Sequence, residues 1–274
     1  MPPRAPDFSS VGKDTRLAEG VNGSKTALFV AHPGHELRVY GWLERTRPLV
    51  FVLTDGSGGL GQSRIASTEG LLKKAGAQRG PIFGRFTDRE LYQALVEHRH
   101  VEFLDLAMEL ARTLVEHGIE VIVGDAAEGY NSGHDVCRLL VDAAVERMRG
   151  REGRPIENRD FPVVAAPETC PAEQRETALW FELDERALSR KLAAARAYSE
   201  LAHEVEAALN AHGPKAFGTE CLRLIQEPWS LPPAPAFYEE YGSKRVKEGV
   251  YHHVVRQSEH LVPLARTLEA WTGN

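Results

Sequence analysis

The sequence is poor in cysteine, in excess positive charge and in long apolar runs, and each shortage removes a class of protein. Three cysteines in 274 residues, at positions 137, 170 and 221, exclude a disulfide framework and any metal cluster held by cysteine alone. The 33 basic residues are outnumbered by 39 acidic ones, for a net charge of −6. That balance lacks the electrostatic footprint of phosphate-backbone binding, so no nucleic-acid partner is expected. No apolar run approaches the roughly 20 residues of a membrane span, so no membrane partner is expected either. The opening stretch, MPPRAPDFSSVGKDTR, carries no apolar signal-peptide core, which makes the expected location cytoplasmic. What the chain does have is eleven histidines. The question is whether any of them converge.

Hydrophobic periodicity gives the frame. Residues 1–24 are polar and aperiodic and read as a mobile N-terminal arm. Thr26–Ala31 and Leu49–Leu53 are short continuous apolar runs, the pattern of strands buried on both faces. Between them Leu37, Tyr40 and Leu43 recur at helical spacing, so the unit is βαβ and the sheet parallel. Helices are expected over Arg64–Ala75, Arg89–Glu97 and Val101–His117, a strand over Ile119–Val123, and a helix from His134 to about Met148. Residues 149–160 read as a solvated linker and Phe161–Ala166 as a strand. Asp184–Ala211 reads as one long helix, 228–235 as irregular, and Ser258–Trp271 as a last helix. The expected architecture is α/β: a Rossmann-like, doubly wound, mostly parallel sheet over 25–180, with a helical C-terminal extension over 181–274 packed on it.

Open parallel sheets bind ligands outside the carboxyl ends of their strands. Three loops lie there: 31–36, 54–61 and 124–134. Histidines occupy two of them, and neutral imidazole is the commonest metal ligand. Two ligands close in sequence plus a distant third leave an open coordination position, as catalytic zinc requires. His32, His35 and His134 are therefore the candidate metal group, against the plainer reading of each as a cap or hydrogen-bonding residue. His98, His100, His117, His203, His212, His252, His253 and His260 have ordinary explanations at helix ends or in the extension. The aromatics of the extension, Trp229, Phe237, Tyr238, Tyr241 and Tyr251, read as core or domain packing rather than as a sugar platform.

Ala31-His32-Pro33-x-x-Glu36 after the first strand resembles the Ala-His-Pro-Asp-Asp-Glu motif of the PIG-L or LmbE-like zinc-dependent N-acetylglucosaminyl deacetylases. Val52-Leu53-Thr54-Asp55-Gly56 resembles that family's Leu-Thr-Asp-Gly, Arg64 with Glu69 its Arg-x-x-x-Glu, and Asn131-Ser132-Gly133-His134 its His-Pro-Asp-His. The order holds over residues 25–150. The resemblance implies a zinc site at His32, His35 and His134, with other divalent transition metals also suited to imidazole. It also exposes departures. The family's general base falls on Gly34, its oxyanion histidine on Asn131, the supporting aspartate on Gly133, and one carboxylate ligand on His35.

The function this implies is a metal-dependent hydrolase acting through metal-bound hydroxide on a small polar, N-acylated or sugar-related metabolite. Two alternatives stand beside it: a repurposed metalloenzyme performing ester cleavage, elimination or group transfer, and a non-catalytic saccharide-binding member. Catalytic candidates are Asn131 as oxyanion donor, Glu36 as an acid that orients a ligand ring or simply faces a helix dipole, and Asp125 as a replacement acid or base, with Asp55, Glu128 and Asp135 as further sources. Substrate-binding candidates are Arg64, which either clamps substrate or pairs with Glu69, Tyr130, which either binds substrate or packs, and Asp55. Cys137 reads as a small buried residue. A homo-oligomer is compatible with the sequence, though no stretch announces an interface.

Overall fold

The computed structural model describes residues 23–58, 61–153 and 155–273, so the arm expected over 1–24 falls almost wholly outside the described residues. Seven strands form one sheet in the order β3-β2-β1-β4-β5-β7-β6. β1 (Thr26–Val30), β2 (Leu49–Thr54), β3 (Gln78–Phe86), β4 (Val121–Asp125) and β5 (Glu157–Phe161) run parallel. β7 (Thr219–Leu224) pairs antiparallel with β5, and β6 (Leu179–Glu182) antiparallel with β7. The chain builds outward from β1 in one direction, then returns to place β4 on its other side. That reversal is the topological switch point of a doubly wound sheet.

Alternation along the buried strands fills two cores, because successive strand residues face opposite sides. Phe29, Phe51, Leu53 and Ile122 face one side, under α3 (Asp88–Val96), α4 (His100–His117), α5 (Ser132–Glu152) and α9 (Val262–Gly273). Leu28, Val30, Val50, Val52 and Val123 face the other, under α1 (Tyr40–Thr46) and α2 (Ile65–Ala75). No helix among the described residues is long and apolar enough to cross a membrane.

The structure differs from the sequence expectation at five places. β3 escaped notice because Gly80, Pro81 and Gly84 interrupt its pattern; an edge strand tolerates them, and Gly80 leaves room for Phe51, whose ring would lie 2.7 Å from any Cβ there. The linker expected over 149–160 is instead the end of α5 followed by β5, and the strand expected over Phe161–Ala166 is loop beyond Phe161. β5 is charged yet buried because its partners satisfy it. Asn158 joins Arg138 and Asp142, and Asp160 takes Arg223 in a two-bond clamp at 2.7 and 2.8 Å. The long helix expected over Asp184–Ala211 breaks at 197–201 into α6 (Glu185–Arg196) and α7 (Ala202–His212), and 181–274, expected as a helical extension, also holds β7 and half of β6. α8 (Phe237–Lys247) precedes the final helix.

One buried ion pair ties this later half of the chain to the sheet. Lys191 of α6 donates to Glu220 of β7 at 2.8 Å and to the Arg38 carbonyl at 3.0 Å. Glu220 also accepts the Gly41 and Trp42 N–H groups at the start of α1. Breaking a buried pair leaves one charge uncompensated, at a cost of about 3–5 kcal/mol. Lys191→Met is therefore expected to lower unfolding free energy by about that amount in denaturant titration; a loss below about 1 kcal/mol would show that the pair is not a structural tie.

Candidate metal centre

The site is assembled where β1, β2 and β4 end. Beyond β1 the chain turns at His32-Pro33-Gly34-His35, with Gly34 in the left-handed region at φ 106°. The Thr54 N–H donates to the Ala31 carbonyl, and the Ala31 N–H donates to Asp125 Oδ2 at 2.8 Å. Asp125 ends β4, two residues later than the sequence pattern placed the strand's close. His134 enters from the first turn of α5, whose N-cap is Asn131.

Three imidazoles meet there. The ring centroids of His32 and His35 are 5.2 Å apart, those of His32 and His134 5.4 Å, and those of His35 and His134 4.6 Å. Three imidazoles bound to one tetrahedral ion at about 2.0–2.1 Å would have centroids about 5 Å apart, so the spacing suits a shared ion. Among the described residues, no group of three or more His, Cys, Asp or Glu side chains has donor atoms already arranged to hold a metal. The rings are in edge-to-face contact, and closing on an ion requires them to turn.

The hydrogen bonds fix which nitrogens are free to turn inward. His32 Nδ1 lies 2.8 Å from Thr54 Oγ1 and 3.0 Å from Asp88 Oδ1. Thr54 spends its own proton on the Ala31 carbonyl, so His32 Nδ1 is the donor and its Nε2 carries the lone pair. That Nε2 is buried and unpartnered. A Cβ on Gly133 would sit 3.0 Å from it, so only glycine leaves this nitrogen open space. His35 Nδ1 donates to Asp125 Oδ2 at 2.7 Å, which leaves its Nε2 as the acceptor too. His134 Nδ1 is likewise buried without a partner. Burial first, then the charges of His35 and His32, lower the His134 pKa to about 2 against the pull of Asp125, so this ring is a neutral ligand. An orphaned ring nitrogen opposite a carboxylate-held one, as in His32, is the pattern of a metal-binding histidine; His35 shares the carboxylate and His134 the orphaned nitrogen.

The carboxylates are held ionised by the same contacts. Burial works to raise Asp88 and Asp125, but the histidine they touch and their backbone donors outweigh it and hold both below the usual range. Asp88 is the residue the sequence reading missed. It sits at the first position of α3, behind the unrecognised β3, where the capping box of Thr87 and Glu90 marks a helix start at a strand's carboxyl end. That box was the available signal.

The remaining candidates divide. Asn131 accepts the Gly133 N–H at 2.7 Å through Oδ1, which leaves its Nδ2 to donate. Glu36 does not orient a ligand ring, because Asp125 has that place. It is fully buried, accepts from Gly34 N–H and Thr68 Oγ1, and burial above all raises its pKa to about 7. Asp125 accepts from the Ala31 N–H and His35 through Oδ2, while its Oδ1 is buried without a partner. Arg64 does not pair with Glu69, which binds Arg79; its guanidinium donates to the Gly56 carbonyl instead. Asp55 accepts the Ser57 N–H and shapes its own loop. Glu128 accepts three N–H groups of residues 163–165, Asp135 accepts the Gly129 N–H, and Cys137 is buried against the Phe29 carbonyl. Tyr130 is 48% exposed beside Asn131.

No protein-family model matches the sequence, and no curated protein matches it. Solved structures do. A deacetylase of the teicoplanin biosynthesis pathway superposes with TM-score 0.52 at 12% identity, over 76% of this chain and 100% of that one. An antimicrobial pseudoaglycone deacetylase gives 0.51 at 16% identity, over 76% and 99%. The chain has the fold of the LmbE-like deacetylases. A zinc-inhibited form of the teicoplanin deacetylase matches with TM-score 0.50 at 12% identity, over 75% of this chain and 100% of that one.

Carboxylates behind metal-binding histidines typically contribute 10–100-fold to metal affinity. Asp88→Asn and Asp125→Asn are each expected to weaken zinc binding by about that factor in competition titrations with a chromophoric chelator. Unchanged affinity in both would remove these residues from the centre.

Proposed function

We propose that the protein is a metal-dependent hydrolase acting on a small polar, N-acylated or sugar-related substrate. The observation that carries this reading is the convergence of His32, His35 and His134, with His32 Nε2 and His134 Nδ1 buried and unpartnered. A divalent cation bound there, zinc being the leading choice for an all-imidazole set, would supply Lewis acidity to activate water or polarise a carbonyl. The chain's own residues do the rest. Asp88 and Thr54 hold the Nδ1 proton of His32, and Asp125 that of His35, so both rings keep one tautomer and one orientation. Asn131, fixed by its bond to the Gly133 N–H, directs Nδ2 at a carbonyl oxygen as an oxyanion donor.

No side chain stands at position 34, where the family resemblance places the general base. Asp88 and Asp125 each hold the ring they support. A positioned general acid or base is worth about 10²–10⁴-fold, and an amide's leaving amine needs a proton most. The same observation favours, as a second reading, chemistry with an easier leaving group, such as ester cleavage.

Two measurements test these readings. Purified protein is expected to hold one equivalent of divalent metal, to lose it in His35→Ala, and to lose turnover on chelation with recovery on zinc addition. Metal-free protein with full turnover would end the hydrolase reading. Restoring an acid at position 34 separates amide from ester chemistry, but Gly34→Asp alone meets two obstacles. Its φ is positive, and a Cβ there would lie 2.5 Å from Leu201 Cδ1. The single variant is expected to lose about 1–3 kcal/mol in thermal or denaturant unfolding. Gly34→Asp with Leu201→Ala removes the overlap. A gain in amide hydrolysis by the double variant supports a deacetylase lacking its base, and no gain assigns the site to the second reading.

A further inference from the structure

A cavity of about 250 Å³ lies between α6, α7 and the turn at 34–39. Leu201, Val205 and Leu209 recur at four-residue steps at the start of and along α7, so they share the side that lines it. Leu37, Leu192 and Phe217 line it from other elements. The space exists because small residues face it: Gly34, Ala195, Ala208 and Ala216 add no bulk where a leucine would fill the gap. At ~30 Å³ for each water-sized group, the cavity has room for about eight methylene-sized units. Protein interiors rarely leave voids of that size, and so apolar a lining offers water few partners.

The polar groups at the cavity are committed, with one exception. Lys191 is bound to Glu220 and to the Arg38 carbonyl, and Thr219 donates to Glu182. Arg38 is the exception. Its guanidinium donates from Nη2 to the Ala165 carbonyl at 2.9 Å, while the N–H groups on Nε and Nη1 have no partner among the described residues. Glu128 and Glu168 draw on it from beyond ion-pair distance, and Glu128 spends both oxygens on N–H groups of residues 163–165. Burial lowers the Arg38 pKa against the pull of those two acids. Of the described residues lining the cavity, Glu204 is the acid, and it is exposed, where water and salt screen it.

Charge and lining together select the occupant. A part-buried cation without an ion-pair partner is costly, and a carboxylate is its best match, because it can accept two parallel N–H bonds from a guanidinium. A sugar would lose the partners of its hydroxyls against so apolar a wall. We propose that the cavity is a binding site for a medium-chain aliphatic monocarboxylate, with the carboxylate on Arg38 and a tail of about seven carbons among Leu192, Leu201, Val205 and Leu209. None of the three histidines lines the cavity, so this inference goes beyond the hydrolase reading and does not rest on it.

Calorimetric titration of the full chain with butanoate, hexanoate, octanoate and dodecanoate tests the site. Affinity is expected to rise about three- to fourfold per methylene up to octanoate and to level off before dodecanoate. Arg38→Gln should weaken octanoate about ten- to 100-fold and leave octan-1-ol unchanged. Ala208→Trp, which fills the space, should abolish binding of both. Should that variant fail to fold, the Arg38→Gln contrast still decides, since a folding defect weakens acid and alcohol alike. His35→Ala should bind octanoate as the parent protein does even where metal and turnover are lost, so the two readings fail separately. Equal affinity for octanoate and octan-1-ol overturns the proposal, as does octanoate binding that Arg38→Gln does not change. Tighter binding of octan-1-amine than of octanoate also overturns it, because the cavity would then answer to Glu204. Several weak equivalents per chain with no dependence on tail length would reduce it to adsorption on the surface.

Discussion

The whole centre hangs on one carboxylate. Asp125 is fully buried at the end of β4, where ionisation is expensive, and it is kept charged by what it holds: the Ala31 N–H of the neighbouring strand and the His35 Nδ1–H. A single side chain thus fixes the register of β1 against β4 at the switch point and the orientation of a ring in the site. The Asp88–His32–Thr54 contacts repeat the device one strand over. Without these two carboxylates, three imidazoles within about 5 Å would repel on protonation and have no preferred tautomer. With them, His32 and His35 each keep the proton on Nδ1 and leave Nε2 free, so closing on an ion requires the rings to turn but not to change tautomer.

Much of this was legible in the sequence because buried parallel strands and their carboxyl-end loops leave plain marks. β1, β2 and the helices around them follow from apolar runs and helical periods, and His32, His35 and His134 from their placement at strand ends. What the sequence hid was hidden by local chemistry running against the average. Gly80, Pro81 and Gly84 disguise β3 as loop, and with β3 unseen Asp88 had no strand end to mark it. Asn158, Arg159 and Asp160 disguise β5 as a linker, since hydropathy does not register that Arg138, Asp142 and Arg223 wait to pair with them. Side-chain roles were the least legible. Whether Glu36 or Asp125 orients His35 is a question of direction in space, and adjacency in sequence pointed to the wrong one.

The later half of the chain is more than an appendage to this frame. Leu201, between α6 and α7, lies over Gly34 where a base would project, and Tyr198 reaches Thr68, which in turn holds Glu36. Glu36 is bonded to the Gly34 N–H, so the turn carrying His35 is braced from the far side by residues more than 130 positions away. The same segments that hold the turn therefore occupy the volume of the missing acid. A side chain at position 34 would therefore meet Leu201 as well as a positive φ.

Charge shows why the exchange of a carboxylate for His35 need not disable the centre. Three neutral imidazoles leave a divalent cation its full formal charge, where an aspartate ligand would cancel half of it at contact distance. Here the two compensating charges, on Asp88 and Asp125, are one imidazole removed. Coulomb energy falls with separation, so at that distance they stabilise a bound cation in the fold while drawing less on the charge it presents to substrate. On the proposed reading, a divalent cation held there would serve chiefly as a Lewis acid, suited to a bond whose cleavage depends on polarisation more than on protonating the group that leaves.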